Sequence, residues 1–338
     1  MARRIITNTY QSRSEPVPWM LLTAVPLLLA TLFLLPETQQ EVPPEGFFFG
    51  RYATLPGMGT IPVARILTGL FFIVVNAFSL QAFHRAFSPE TNIRLPLLYL
   101  LLALTHPLTA GYSPLHVATP MIVWSLLYFT RFKTEGMETG HLFCSLSVLC
   151  AASFFWAPLF WFAAAMGILA LQYNESKLHC LSIVLAAVAT MLAVGFGVEF
   201  LTGGLDAARE QLSAYFAATV QISPSGSHPH WIPLTRNLLL VLAAVWSMAS
   251  FLGSKGKYRI LEARLFSTVM AATLFLVAIT ALFSAAAPYR AATLLFAPSA
   301  LLVFFLRNRN GSALPLGIFT FLYSALVLFE RLRPFLER

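Results

Sequence analysis

Long apolar runs recur along the whole chain and limit its fold more strongly than any other feature of the sequence. They cover approximately residues 17–35, 66–83, 95–107, 115–130, 142–155, 159–172, 181–200, 232–253, 265–285, 293–306 and 313–329. An apolar helix of about 20 residues crosses the hydrocarbon core of a bilayer. These runs therefore predict an all-α, polytopic transmembrane helical bundle of ten or eleven spans, with residues 1–338 forming a single integral membrane domain.

The balance of residue types agrees with this prediction and excludes several classes of protein. Hydrophobic residues make up 58% of the chain and charged residues 11%, whereas soluble domains have about 45–50% and about 25%. A soluble enzyme, a secreted disulfide scaffold and a disordered chain are therefore excluded. Cys144, Cys150 and Cys180 lie within or beside apolar runs with no CxxC pair, which predicts small buried side chains rather than zinc ligands or disulfides.

The positive charges indicate the orientation of the chain. The net charge of +8 is scattered between the apolar runs, which is typical of membrane topology and not of nucleic-acid binding. Arg3, Arg4 and Arg13 precede the first run, and no small-residue cleavage site follows it, so we predict an uncleaved first span with a cytoplasmic N-terminus. In this orientation 14 of the 22 Lys and Arg residues lie inside and 8 lie outside.

The segment 142–172 leaves this topology open at one point. Its two runs of about 14 residues meet at Trp156-Ala157-Pro158, and each would extend only about 21 Å as a helix, against about 30 Å for the bilayer core. The pair forms either a buried hairpin or a single crossing. A single crossing would move every later loop to the other side and change the charge distribution to 13 inside and 9 outside, so charge does not decide the side of the C-terminus.

Two stretches between the runs are long enough to form outer loops, residues 36–65 and 201–231. The second contains apolar residues at helical spacing opposite a charged face, which predicts an amphipathic helix at the membrane interface. The apolar positions are Leu205, Ala208, Leu212 and Phe216.

Polar residues at membrane depth are costly without partners, and they are therefore the candidates for a substrate cavity that opens outward. They are Asn76, His106, His116, Glu199 and Arg236. The segment between the two histidines contains Gly and two Pro, and irregular backbone at that depth lines a cavity or is buried in protein. The alternative is an ordinary interfacial turn. The histidines lack a third ligand at fixed spacing, so we predict no metal site and no cofactor.

Acidic residues supply the only catalytic candidates. Glu41 and Glu45 lie in the first outer loop, where membrane glycosyltransferases that use polyprenyl-phosphate sugars carry a catalytic acid that serves as general base. The alternative is that these are solvated loop carboxylates, so whether the protein is an enzyme stays open. Asp206 is the single aspartate, and no acidic pair lies inside a run, which disfavours a proton-relay transporter.

A basic cluster follows the run 232–253. Lys255, Lys257 and Arg259, with Arg264 after them, are predicted to face the cytoplasm. They indicate either a site for an anionic lipid headgroup or a loop that only fixes topology.

The middle of the chain, from about residue 66 to residue 209, resembles an uncharacterised family of multi-pass inner-membrane proteins common in Bacteroidota. The residues that carry the resemblance are Asn76-Ala77-Phe78, Arg94-Leu95-Pro96, Ser113-Pro114-Leu115, Phe143 and Phe154-Phe155-Trp156-Ala157-Pro158. Tyr112 stands where the family pattern has Leu, and the last third of the chain matches by hydropathy alone. The resemblance implies a Gram-negative inner-membrane protein linked to envelope assembly, and it carries over no catalytic residue.

Three hypotheses for function follow. The first is an inner-membrane protein of envelope assembly with an outward cavity for an amphipathic or lipid-linked substrate or a protein partner. The alternative is an integral-membrane glycosyltransferase or glycan polymerase that uses Glu41 or Glu45. The third is a secondary transporter, ranked last because no inverted repeat or polar midplane is visible. The predicted partners are membrane lipids and a lipid-linked glycan or an envelope protein, with no nucleic acid.

Overall fold

The computed structural model describes part of the chain, and that part is helical. It covers residues 62–87, 94–104, 112–134, 138–173, 176–220, 231–254, 260–283, 297–307, 318–319, 321–323 and 325–326. Within these ranges the regular secondary structure is α-helix, as predicted. Several predictions fall outside the described residues, namely those for the first span, residues 36–61 of the first outer loop with Glu41 and Glu45, His106, Lys255, Lys257 and Arg259. The last four residues of that predicted loop, 62–65, are instead the first turn of a helix.

The helices follow the predicted apolar runs closely between residues 66 and 306. They are α1 (Pro62–Phe87), α2 (Arg94–Leu104), α3 (Leu115–Thr134), α4 (Thr139–Ser153), α5 (Leu159–Tyr173), α6 (Lys177–Val220), α7 (Trp231–Ser254), α8 (Ile260–Phe283) and α9 (Ala297–Arg307). Among the described residues, three stretches are long and apolar enough to cross a membrane, and they are Leu67–Ala86, Lys177–Val220 and Ala263–Thr280.

The surface of these helices is apolar. On α1 the side chains of Leu67, Phe71 and Phe78 are exposed, whereas Ile73 and Leu80 on the opposite face are buried. Soluble monomers seldom expose large contiguous apolar patches, and helices that are apolar on all sides are typical of buried cores or membrane spans. The described helices are therefore compatible with a membrane protein.

The core of the bundle is centred on the antiparallel pair of α3 and α4. Ser125 Oγ donates a hydrogen bond to the Ser145 carbonyl at 2.9 Å, and Ser145 Oγ donates to the Ser125 carbonyl at 3.0 Å. Small polar residues of this kind let two helix backbones approach closely and hydrogen-bond across the contact. Around this pair, α3 also packs against α1 and α8, α4 packs against α5 and α6, and α9 packs against α2, α7 and α8.

Helices α4 and α5 form a hairpin, the first of the two arrangements that the sequence left open for this segment. Hydrogen bonds close the turn at its tip, from the Phe154 N–H to the Ala151 carbonyl at 3.2 Å and from the Leu159 N–H to the Trp156 carbonyl at 3.0 Å. At the other end, the Nζ atom of Lys133, six residues before the start of α4, lies 3.7 Å from the ring centroid of Tyr173, the last residue of α5. The two arms therefore begin and end at the same end of the bundle.

Helix α6 consists of two straight parts joined at Gly204. This residue has φ 81° and ψ −177°, a conformation that essentially only glycine adopts. The first part contains the predicted span, and the second part, residues 205–220, contains the helix predicted in the second outer loop. Its buried face carries Ala208, Tyr215 and Thr219, whereas Phe216 of the predicted apolar stripe is exposed.

Candidate functional site

The most highly organised contact between distant parts of the chain lies where the hairpin tip meets the second part of α6. We call this group of side chains the tip cluster. It consists of Ser153, Phe154, Phe160, Trp161, Tyr215, Phe216 and Thr219. The cluster lies at the end of the bundle opposite to Lys133 and Tyr173, because the two hairpin arms connect the one end to the other.

Two hydrogen bonds fix the second part of α6 to the hairpin. Ser153 Oγ donates to the Cys150 carbonyl at 2.6 Å, so the Tyr215 hydroxyl is the donor in its 2.7 Å contact with Ser153 Oγ. Trp161 Nε1 donates to the Thr219 carbonyl at 2.7 Å. Burial raises the pKa of the Tyr215 phenol well above its usual range, and Tyr215 therefore stays a neutral hydrogen-bond donor at physiological pH.

Aromatic rings fill the space between these two hydrogen bonds. The ring centroids of Phe154 and Tyr215 lie 6.0 Å apart, those of Phe160 and Tyr215 6.3 Å, and those of Phe160 and Phe216 6.5 Å, all close to edge-to-face. Such pairs contribute about 0.5–1.5 kcal/mol each beyond the area they bury. Trp161 and Phe216 remain 44% and 41% exposed, so the cluster presents aromatic surface to its surroundings.

Glu199, a cavity candidate from the sequence, lies one helical turn after the α6 residue that packs on the hairpin tip. At Gly195, one turn earlier on the same face of α6, a Cβ atom would lie only 2.9 Å from Cζ of Phe154. Glycine therefore allows α6 to pack directly on the hairpin tip. Glu199 is completely buried, and it is the one fully buried acidic side chain among those that the structure describes.

His116, a second cavity candidate, forms the start of α3. The Ser113 N–H donates to His116 Nδ1 at 3.1 Å, and the His116 N–H donates to the Ser113 carbonyl at 3.0 Å, with Pro114 between them. This arrangement resembles a capping box in which histidine takes the place of glutamate and proline precedes the first turn. His116 Nδ1 also lies 3.2 Å from Ser113 Oγ and 3.2 Å from the Ser113 carbonyl oxygen, so Ser113 holds the imidazole ring at the start of the helix. Residues 113–116 therefore form a hydrogen-bonded turn at the start of α3.

Asn76, the third candidate that the structure describes, is completely buried on α1. It adjoins Tyr99 of α2. The amide group of Asn76 and the hydroxyl of Tyr99 are both buried. One turn earlier on α1, the Phe72 ring lies 5.7 Å from that of Tyr112, which in turn stacks 6.1 Å from the His116 ring. Asn76 therefore lies one helical turn below the start of α3.

The three buried polar candidates lie toward one end of the bundle. Ser125 and Ser145 contact each other across the antiparallel helices α3 and α4, so they lie at the same level of the bundle. His116 lies nine residues before Ser125 and Phe154 nine residues after Ser145, which places His116 at the level of Phe154. Glu199 lies one turn beyond Gly195, which packs on Phe154, and Asn76 lies one turn beyond Phe72, which packs on Tyr112. Arg236 lies on α7, and its side chain is outside the described part of the structure.

Sequence reasoning did not identify the residues that build the tip cluster. Ser153 and Trp161 lie inside apolar runs and follow no motif, and Tyr215 lies one position from the predicted apolar stripe. The helical spacing of Ala208, Tyr215 and Thr219 was the one available signal. Within the described ranges, no group of three or more His, Cys, Asp or Glu side chains is arranged to hold a metal. Cys150 and Cys180 are buried as predicted, whereas the prediction for Cys144 was wrong because this residue lies on an exposed face of α4.

Comparisons of the chain with protein-family models, with curated proteins and with solved structures found no match. The resemblance to the inner-membrane family therefore stays a prediction that depends on the sequence motifs alone.

Proposed function

We propose that the chain is a multi-pass protein of the bacterial inner membrane, with ten or eleven spans, that binds an amphipathic, lipid-linked substrate of envelope assembly at its outer face. The observation that carries this proposal is the tip cluster, with exposed Trp161 and Phe216. The buried Glu199 lies one helical turn beyond Gly195, the α6 residue that packs on Phe154 of the cluster. An aromatic surface next to buried polar groups suits a ligand that has both an apolar chain and a polar head.

The hairpin contacts support the proposed topology independently of the charge count. Lys133 and Arg264 come from loops predicted inside, and they lie together at one end of the bundle. Ser153 lies at the predicted outer end of the run 142–155 and Tyr215 in the predicted outer loop 201–231, and they lie together at the other end. A hairpin in which residues 142–172 return to the side where they began fits the 3.7 Å distance between Lys133 Nζ and the Tyr173 ring centroid.

The composition of the tip cluster supports a ligand at the membrane interface. Trp and Tyr concentrate at the level of lipid headgroups because one part of each ring system is apolar and another part donates hydrogen bonds. In the tip cluster the donors of Trp161 and Tyr215 are used within the protein. The exposed ring faces are therefore suited to stacking on an isoprenoid chain or a sugar ring, and not to polar recognition.

Site-specific photocrosslinking tests this proposal. A benzophenone amino acid replaces Phe216 of the tip cluster and, in a control variant, Phe78, which is 70% exposed on α1. We expect the probe at 216 to capture a lipid-linked glycan from cell membranes and the probe at 78 to capture only bulk phospholipid, as identified by mass spectrometry. Trp161→Ala should reduce the specific adduct at 216.

Identical adducts at the two positions would overturn the assignment of the tip cluster as a binding site. Capture of an envelope protein at position 216, with no glycan, would leave the location intact and replace the lipid-linked substrate with a protein partner.

A further inference from the structure

The end of the bundle opposite to the tip cluster contains a buried lysine in unusual surroundings. Lys133 lies in the last turn of α3, and its side chain is only 4% exposed. Its Nζ atom lies 3.7 Å from the centroid of the Tyr173 ring and has no hydrogen-bond partner. A lysine ammonium carries three N–H donors. The face of an aromatic ring attracts the positive charge, but it offers no oxygen or nitrogen atom that accepts these hydrogen bonds.

A second cation adjoins this lysine. Arg264, near the start of α8, donates from Nη1 to the carbonyl oxygen of Lys133 at 3.3 Å. Arg264 is exposed, so its guanidinium group is accessible from outside the bundle. We call Lys133, Tyr173 and Arg264 the basic end.

Among the residues that the structure describes, no carboxylate balances the positive charges of Lys133 and Arg264. Glu138, the described acidic residue between α3 and α4, contacts His141 at 3.4 Å. Burial and, to a smaller extent, the positive charge of Arg264 lower the pKa of Lys133 to about 8. The negative end of the α3 dipole favours cations in the last turn, but it acts equally on the neighbouring Arg131 and supplies no acceptor for Lys133 Nζ.

We propose that the exposed Arg264 guanidinium binds the phosphate group of an anionic ligand, with the buried Lys133 ammonium adding positive charge behind it and the Tyr173 ring forming one wall of the site. Phosphate oxygens accept hydrogen bonds from ammonium and guanidinium groups, and a buried charge without a partner is stabilised by an ion of opposite charge. The phosphate comes either from an anionic lipid headgroup in the cytoplasmic leaflet or from a soluble ligand. The site is separate from the tip cluster and does not depend on the function proposed for that cluster.

Thermal unfolding of the full chain in lipid nanodiscs tests the proposal and identifies the source of the phosphate. The reference is a disc of phosphatidylcholine in chloride buffer. One arm adds inorganic phosphate at constant ionic strength, and the other replaces part of the lipid with phosphatidylglycerol. We expect at least one arm to raise the unfolding midpoint by about 2–5 °C, as for a ligand well above its dissociation constant.

Three variants assign the response to the proposed residues. Lys133→Gln and Arg264→Gln should abolish the rise, whereas Lys133→Arg, which keeps the charge, should retain it. Lys177→Gln is the matched control, because Lys177 is an exposed cation at the start of α6 on the same predicted side. It should respond as the unaltered chain does.

The reference disc separates a ligand site from a merely structural lysine. In phosphatidylcholine without added phosphate, Lys133→Gln should unfold at the same temperature as the unaltered chain or higher, because the variant removes an unsatisfied buried charge. A lower midpoint or a failure to fold would mean that Lys133 serves the fold through Tyr173, and it would overturn the proposal. Absence of a response in both arms, or a full response from Lys133→Gln or Arg264→Gln, would do the same.

Discussion

The tip cluster and the basic end differ in how their buried polar groups are satisfied. At the tip cluster, Tyr215 donates to Ser153 and Trp161 donates to the Thr219 carbonyl, so contacts within the chain are sufficient. At the basic end, the Lys133 ammonium contacts the face of the Tyr173 ring, and the Lys133 carbonyl oxygen accepts a hydrogen bond from Arg264. A group of polar residues that satisfies itself provides a rigid surface, whereas an unsatisfied buried charge indicates a ligand that carries the opposite charge.

Among the changes that test this comparison, crowding the contact between α6 and the hairpin should have the largest effect on the free energy of unfolding. Gly195→Val places side-chain atoms where the Phe154 ring now lies, 2.9 Å from the Cβ position, and overpacking of this kind commonly costs about 1–3 kcal/mol. We expect a lower free energy of unfolding in denaturant titrations and less protein in the membrane. Gly197→Val is the matched control, because no atom lies within 4 Å of its Cβ position. Equal losses from both variants would show that α6 does not depend on its contact with the tip.

The pH dependence of stability tests the basic end, and we expect a smaller effect there than at the tip cluster. The pKa of Lys133 is lowered from 10.5 to about 8 in the folded chain, so between these values the unfolded chain binds more protons than the folded chain. Stability should therefore rise with pH across this window. The measurement is the unfolding midpoint from pH 7 to pH 10 in phosphatidylcholine discs without phosphate. Lys133→Gln is the reference, because all other groups titrate in both proteins. The difference in unfolding midpoint between the unaltered chain and Lys133→Gln should fall toward zero as pH rises, since Lys133 then loses its charge.

The smallest effect is expected from the acids of the first outer loop. Glu41→Gln and Glu45→Gln remove a carboxylate while keeping its shape, and a surface substitution commonly changes stability by less than about 0.5 kcal/mol. Growth and envelope composition should stay normal if the protein is a binder. A catalytic base would instead account for a loss of about 10²–10⁴ in rate. A null phenotype, with the protein still made and inserted, would favour the glycosyltransferase hypothesis over binding at the tip cluster.

The helices could be predicted from the sequence, but the site could be predicted only in part. Asn76, His116 and Glu199 were selected because polar residues at membrane depth are unusual, and all three are buried toward one end of the bundle. The role of His116 at the start of α3 was not predicted, because its contact with Ser113 depends on the orientation of the ring. Lys133 was interpreted only as a loop charge, since its burial depends on Tyr173 and Arg264 from distant positions.

The sequence predicted which of the described segments are helical and that these helices are apolar, because run length and apolar composition are local properties of the chain. It did not determine which face of each helix meets a neighbour. In a bilayer, the side of a helix that faces lipid is as apolar as the side that faces protein, so the periodicity that marks the inner face in a soluble protein is missing. Tertiary structure alone therefore decided that Ser153 meets Tyr215 and that Lys133 meets Tyr173 and Arg264, across separations of 62 and 131 residues for the two hydrogen-bonded pairs.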